Sequence, residues 1–423
     1  MKRRLAVTAT LAAIALSLSG CSTASGEDAS KTIDIWTSWS EGEATAVALD
    51  PLLDAWAEEN GYTVNQSNFT YDQIREKIIA SAAGGNLPDV VWGLPEYVGE
   101  FSKLGILADV TQSWESWEQA DNVSEAIKNS MTIEGKVIGF PYEATVRAYL
   151  VHDDLLDEAG VEVPETWDQV LAVGDTVATA TDSSFYGLTG SGVRAPQELL
   201  VYLAQKGLTI ASPVEGGGYE NTWADNPGEL AKAAEVFQYY KDLMSSGAVN
   251  PNSATYGWED TDENLATGLT ASFVTGNWMA ERESSNPETM GDISIHPIPY
   301  PADGTPATYL ESKPMFVMAN SDSLEASTEL AQQFASPEWQ EAGFAARSPL
   351  SSVTTESKWS KDFSALLDTG ITYPPISLGE VTQAMIDSIA LVLQEDESAE
   401  EAALWLSDAV NQALENSGDA PGE

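Results

Sequence analysis

The sequence predicts an α/β protein whose sheets are covered by helices and whose hydrophobic core is divided. Three observations carry this. Short runs of strand character alternate with helical stretches along the chain. Its 423 residues exceed what one core serves, since single cores stop growing beyond about 250–300 residues. Hydrophobic residues at 43% and aromatics at 9% are the proportions of a folded chain rather than a disordered one.

The elements follow in order. Thr32-Ile-Asp-Ile-Trp36 alternates at period two and reads as a strand. The next helix has two readings. Asp50-Pro51 has the form of an N-cap with proline at the first helical position, yet Ala44 to Leu49 is also compatible with helix. Asp89-Val-Val-Trp92 is a short apolar strand, with Asp89 as a turn or cap residue. Gly139-Phe-Pro-Tyr142, Phe185-Tyr-Gly-Leu188, Ala271-Ser-Phe-Val274, Ile293-Ser-Ile295 and Met315-Phe-Val-Met318 read as further strands. Thr166 is placed to cap a helix against which Trp167 packs. From Glu229 to Gly247, residues Leu230, Ala233, Ala234, Phe237, Tyr240 and Met244 share one helical face, and Gly247 supplies the stop. Near the C-terminus Val381, Met385, Ile389 and Val392 share a face, as do Ala403, Leu406, Val410 and Ala413.

Charge excludes one class of partner. Lys and Arg number 19 against 66 Asp and Glu, a formal charge of -47, so a phosphate backbone is repelled and nucleic acid is not expected. Such acidity suits a solvated surface on an exported protein. One cysteine allows no internal disulfide. His152 and His296, the only histidines, leave little for a zinc site or a histidine-based triad, and no metal or cofactor is expected.

The N-terminus has the layout of an export signal. Lys2, Arg3 and Arg4 precede an apolar run, Leu5 to Leu18, shorter than the roughly 20 residues that span a bilayer. Leu18-Ser19-Gly20-Cys21 resembles a bacterial lipobox, which implies that residues 1–20 are removed, that Cys21 is lipidated, and that 21–32 form a tether to the membrane.

Five stretches carry a wider resemblance. Ile33-Asp-Ile-Trp-Thr-Ser-Trp39 opens it. Residues 71–111 run YDQIREKIIASAAGGNLPDVVWGLPEYVGEFSKLGILADVT. Residues 135–170 contain GKVIGFPYEA and DLLDEAGVEVPETWDQV, residues 265–279 end in Gly276-Asn-Trp-Met, and residues 331–349 reach a polar-Pro turn. In order and spacing the chain resembles the extracellular solute-binding lipoproteins of bacterial ABC sugar importers, like the maltose-binding proteins. It departs at Val151-His152-Asp153, where Tyr-Asn-Lys is usual, and at Thr308-Tyr-Leu-Glu311, which replaces a Gly-Gly pair. The resemblance implies a two-lobed periplasmic-binding-protein fold (type II) with ligand held in the cleft. The expected lobes are 33–141 with 300–325, and 142–299 with 326–423. It further implies a monomer that captures a sugar or oligosaccharide outside the cell, delivers it to the permease subunits of an ABC transporter, and performs no chemistry.

A sugar offers hydroxyls that need hydrogen-bond partners and C–H faces that stack on aromatic rings. Trp36 is expected in the core. Trp39, past the strand end between Ser38 and Ser40 with Glu41 nearby, is expected in the loop that the resemblance places on the cleft. Trp92 can face either way. Glu96 stands where the family places a sugar-contacting carboxylate, and Trp278, after Gly276 and Asn277, where it often stacks a tryptophan. Trp258 beside Glu259 and Asp260 is a further platform. Thr145 and Arg147 follow the crossover at Pro141-Tyr142-Glu143, and a guanidinium can fork across adjacent hydroxyls. Tyr309 and Glu311 occupy the place of the missing Gly-Gly pair, and Arg347 with Ser348 is placed to close the second lobe.

Rival readings have less behind them. A glycoside hydrolase needs two carboxylates about 5–10 Å apart, and among 66 acids such pairs arise without meaning. An iron site at Tyr239-Tyr240 fails because adjacent helical residues diverge by about 100° and Tyr240 belongs to the core face. A cationic or peptide solute on the same fold remains the alternative.

Overall fold

A computed structural model describes residues 31–39 and 42–422. The expected signal, Cys21 and Glu41 lie outside the described residues.

Ten strands build two sheets: β1 Lys31–Thr37, β2 Tyr62–Asn68, β3 Val90–Trp92, β4 Gly139–Val146, β5 Ala148–His152, β6 Ser184–Tyr186, β7 Thr270–Thr275, β8 Ile293–His296, β9 Thr308–Val317 and β10 Gly370–Ile371. The first sheet runs β10-β9-β3-β1-β2, with β4 also paired to β9. In it β1 lies parallel to β2 and β3, whereas β9 runs antiparallel to β3 and β4. The second runs β8-β5-β7-β6 and mixes antiparallel pairs with the parallel pair β7/β6. Two expected strands prove longer, β4 reaching Val146 and β9 starting at Thr308, because they pair along most of their length and β4 is buried throughout.

Seven helices matter below: α1 Ala44–Asn60, α2 Arg194–Gln205, α3 Pro227–Ser245, α4 Leu324–Phe334, α5 Pro337–Gly343, α6 Leu378–Leu393 and α7 Ala399–Ser417. The Asp50-Pro51 reading of the first start is corrected, since α1 begins at Ala44 and carries Pro51 inside it. Burial of Ala46, Leu49, Leu53, Trp56 and Ala57 on one face sustains the helix through the missing N–H. In α3 the Asn226 side chain accepts from the amides of Gly228 and Glu229. That helix buries Tyr239 as well as Tyr240, because the Trp167 indole stacks on Tyr239 at 4.3 Å between ring centres. Thr166 caps its helix in a capping box with Gln169, as the sequence predicts.

The apolar side chains gather in two clusters. One surrounds the first sheet and includes Ile33, Val91, Phe140, Phe316, Leu330 and Trp339. The other surrounds the second sheet and includes Val170, Leu199, Phe237, Val381 and Leu406. The packing differs from the expected lobe boundaries in two stretches, the first being 142–146, which stay with the first sheet as part of β4. Helix α4 lies on β4 and β9, and α5 lies on α1, because Leu330, Ala331 and Phe334 turn the apolar face of α4 toward the first sheet. The chain returns to the second cluster near Tyr373, and α6 and α7 then pack on α3.

Arg147 is the single residue between β4 in one sheet and β5 in the other. Its amide donates to the Tyr309 carbonyl at 3.2 Å and to Thr308 Oγ1 at 3.1 Å. The Thr308 hydroxyl donates back to the Arg147 carbonyl at 2.5 Å. Two crossing segments are thus clamped where the sheets meet.

Candidate ligand site between the two sheets

The clamp aims the Arg147 side chain into the junction. Its Nη2 donates to Glu311 Oε2 at 2.8 Å and to Gln197 Oε1 at 3.0 Å, so a residue of β9 and a residue of α2 hold one guanidinium. Arg147 also lies over the rings of Trp278, at 4.7 Å, and Tyr309, at 5.3 Å. Arg194, the first residue of α2, lies over the same Trp278 ring at 4.9 Å. Guanidinium–indole contacts contribute about 0.5–2 kcal/mol each, more as water is excluded.

The turn after β7 sets the Trp278 ring. Its Nε1 donates to Asp262 Oδ2 at 2.7 Å, and Asp262 Oδ1 accepts from the Thr275 hydroxyl at 2.6 Å. The ring folds back so closely over Gly276 that a Cβ there would stand 1.8 Å from a ring carbon, so only glycine permits the turn. Asn277 bridges outward, accepting from Thr145 Oγ1 at 3.0 Å and donating to the Ala346 carbonyl at 3.1 Å.

Below these rings is a cavity of about 10 Å³, room for one water or one small substituent, lined by Arg147, Arg194, Gln197, Glu198, Val201, Tyr202, Val274, Ile298 and Tyr309. Four buried polar atoms nearby lack a hydrogen-bond partner: Glu96 Oε2, Arg147 Nε and Nη1, and Glu198 Oε2. A buried polar atom left unmet costs about 1–3 kcal/mol, and such atoms are met by a ligand group or an ordered water.

Burial raises every carboxyl here, although neighbouring cations overcome it at Glu311. It pushes Glu198 up to about 8 against the pull of Arg194 and the Thr189 hydroxyl. Glu96 is half-buried as a residue, but its Oε2 is shut off from solvent; burial and then Glu311 push it up to about 7, while the hydrogen bond from Tyr309 acts the other way. Burial alone would raise Glu311 too, but Arg147 and Lys313 together hold it down to about 2. Beside this group Glu143 Oε1 pairs with Lys313 Nζ at 2.5 Å and with Arg347 Nη1 at 3.3 Å.

The structure therefore brings together Glu96, Thr145, Arg147, Gly276, Asn277, Trp278, Tyr309 and Glu311. Other sequence candidates lie elsewhere. Trp39 is 3% exposed and packs among Tyr142, Phe334 and Phe344, which corrects its expected place on a cleft loop. With β1 ended at Thr37, the chain turns its indole inward under α4. Ser38 Oγ lies 3.5 Å from the Tyr142 hydroxyl. Trp92 is fully buried, opposite Met315 in the β3–β9 pairing. Trp36 is half-buried against Phe69 rather than enclosed. Trp258 is half-buried at the start of helix Trp258–Ala266, whose next turn carries Asp262. Arg347 meets Glu143 rather than the Arg147 group, and Ser348 Oγ accepts from the Leu350 amide at 3.2 Å.

Four contributors were not singled out from the sequence: Arg194, Gln197, Glu198 and Asp262. Three had a signal, since Arg194, Gln197 and Glu198 stand at i, i+3 and i+4 on a helix that is otherwise largely apolar. Asp262 had none among 66 acids. Among the described residues no group of three His, Cys, Asp or Glu side chains could hold a metal ion. Nor is any described helix long and apolar enough to cross a membrane.

Residues 52–367 match the family described as bacterial extracellular solute-binding protein. The chain belongs to that family. The sugar-binding protein MalE of Xanthomonas citri has a similar structure, with a TM-score of 0.78, 18% identity, and 91% of this chain and 98% of that one covered. The two-lobed architecture of such proteins accounts for the two sheets and the crossing at Arg147. The diacetylchitobiose-binding protein of Streptomyces coelicolor is 23% identical over 333 residues, covering 76% of this chain and 75% of its own. A binding protein of Brucella abortus is 21% identical over 271 residues, 64% of this chain, and the match spans 63% of the relative's length.

Proposed function

We propose that this family member captures a sugar, including oligosaccharides, between its two lobes and hands it to the permease of an ABC transporter without chemical change. The unbonded buried polar atoms of Glu96, Arg147 and Glu198, contributed from both sides of the crossing, carry the reading. They are donors and acceptors of the kind that hydroxyls satisfy, and they line or adjoin an indole and a phenol ring. The likeness to sugar-binding relatives supports the same assignment.

The first lobe comprises the first sheet with α1, α4 and α5, and the second comprises the other sheet with α2, α3, α6 and α7. Ligand enters as the lobes separate about the clamped segments at Arg147 and Thr308, the hinge motion known for such proteins. Cys21 carries lipid that tethers the protein outside the cell, each buried methylene contributing about 0.8 kcal/mol. A thermal-shift panel of sugars tests the capture step. A ligand bound only by the folded state stabilises it by about 2.7 kcal/mol at a hundredfold excess over Kd, so at least one sugar should raise the melting temperature. A response confined to polyamines or peptides refutes the sugar reading.

A further inference from the structure

Two guanidinium groups share one indole. Arg147 and Arg194 lie 4.7 and 4.9 Å from the centre of the Trp278 ring. They repel each other, and after burial itself Arg147 is the main influence lowering Arg194 to about 10. In a water-poor site such repulsion is poorly screened.

The acids around them are already engaged. Glu311 meets Arg147 at 2.8 Å through Oε2 and Lys313 at 3.4 Å through Oε1. Asp262 spends one oxygen on the Thr275 hydroxyl and the other on the Trp278 N–H. Glu198 accepts from Thr189 at 2.9 Å and, held up to about 8, is largely uncharged at neutral pH. Glu96 accepts from Tyr309, and burial pushes it up to about 7. Arg194 is 4% exposed and makes no ion pair among the described residues; its Nη1 reaches only the Val274 carbonyl and Thr275 Oγ1, each at 3.5 Å. Arg147 is 3% exposed, and its Nε and Nη1 are unbonded. Both arginines line the small cavity.

We propose that the sugar carries a carboxylate, as a hexuronic acid residue does, and that Arg194 and Arg147 receive that carboxylate. The inference rests on the sugar reading above and deepens it. A neutral sugar hydroxyl would leave Arg194 without an ion pair, its charge offset only at longer range by Asp262, Glu198 and Glu311. A carboxylate supplies one, and its flat pair of oxygens matches the planar donors of a guanidinium. A cavity with room for about one water suits one carboxylate oxygen, with the Glu198 carboxyl as a further donor. An ammonium-bearing sugar would meet two cations at the same wall. The chain's net charge of -47 does not oppose this at contact range, since exposed charges are screened beyond about 8 Å at physiological salt.

Calorimetry on the full mature chain at neutral pH tests the inference with cellobiuronate and digalacturonate beside cellobiose and galactobiose. The acidic member of at least one pair should bind about tenfold or more tightly than its neutral counterpart, since charge-assisted hydrogen bonds are roughly twice as strong as neutral ones. Arg194→Gln should erase that preference, lowering acidic-sugar affinity by clearly more than neutral-sugar affinity. Arg194→Lys, which keeps the charge, should retain part of it. Neutral sugars binding as tightly as acidic ones, or Arg194→Gln weakening both equally, overturns the acidic-sugar inference while leaving the sugar reading in place. Binding of none of the four, with no response to any sugar in the thermal panel, overturns the sugar reading itself.

Discussion

Gly276→Ala adds one carbon to the turn that seats Trp278. The new Cβ would stand 1.8 Å from one ring carbon and 2.3 Å from two others. A six-membered ring fused into indole cannot bend away, so the whole side chain must swing. Doing so gives up the 2.7 Å bond to Asp262 and loosens both guanidinium contacts. Losing a hydrogen bond to a charged acceptor costs about 1.5–3 kcal/mol. Overpacking strain of about 1–3 kcal/mol is the other limit if the ring stays in place. Either way the cost falls on the ligand site rather than on the two cores, because Trp278 is only half-buried at the edge of the first cluster. We expect sugar affinity to fall at least about tenfold, which corresponds to 1.4 kcal/mol, while circular dichroism keeps its native form. Calorimetric titration and a denaturant melt on the same sample provide both readings. Affinity within about twofold of the parent, well under 1.4 kcal/mol, would show that the Trp278 position does not control the site, and the reasoning would fail.

Three other outcomes are expected. Trp39→Ala should cost stability, about 3–5 kcal/mol for a buried aromatic, and leave affinity in the folded fraction unchanged; weakened binding with normal melting would return Trp39 to the cleft. Cys21→Ser should release the protein from membranes without altering sugar affinity, and retention after carbonate washing would disprove the lipid tether. Stability should also fall as pH rises from about 5 to 8. Glu96 and Glu198 are held up to about 7 and about 8 in the fold, above their unfolded values, so their contribution is intact at low pH and lost as pH climbs through those values. Each adds a slope of about 1.4 kcal/mol per pH unit while only the folded form holds the proton. Glu311, held down to about 2, acts oppositely and only below about pH 4.5. Urea melts of Glu198→Gln should show a flatter pH dependence than the parent, and an unchanged slope would refute the assignment.

By itself the sequence determined the alternation of strands and helices, the caps at Thr166 and Gly247, and the packing role of Trp167. Each is local, resting on periodicity or on one side chain and the amides beside it. It also brought out as candidates Glu96 and Trp278, through the resemblance, Arg147 beside the crossover, and Tyr309 and Glu311 at the missing Gly-Gly pair. Only the tertiary structure decided that Trp39 turns inward, since that depends on Phe334 and Phe344, some three hundred residues away in sequence. The return of α4 and α5 to the first sheet was equally invisible. An amphipathic helix announces that it has an apolar face but not which of two apolar surfaces will cover it. The pairing of Arg147 with Arg194 over one indole is the extreme case, for charge pairing follows distance in space, and among 66 acids nothing in linear order reveals that buried Arg194 makes no ion pair with the described residues.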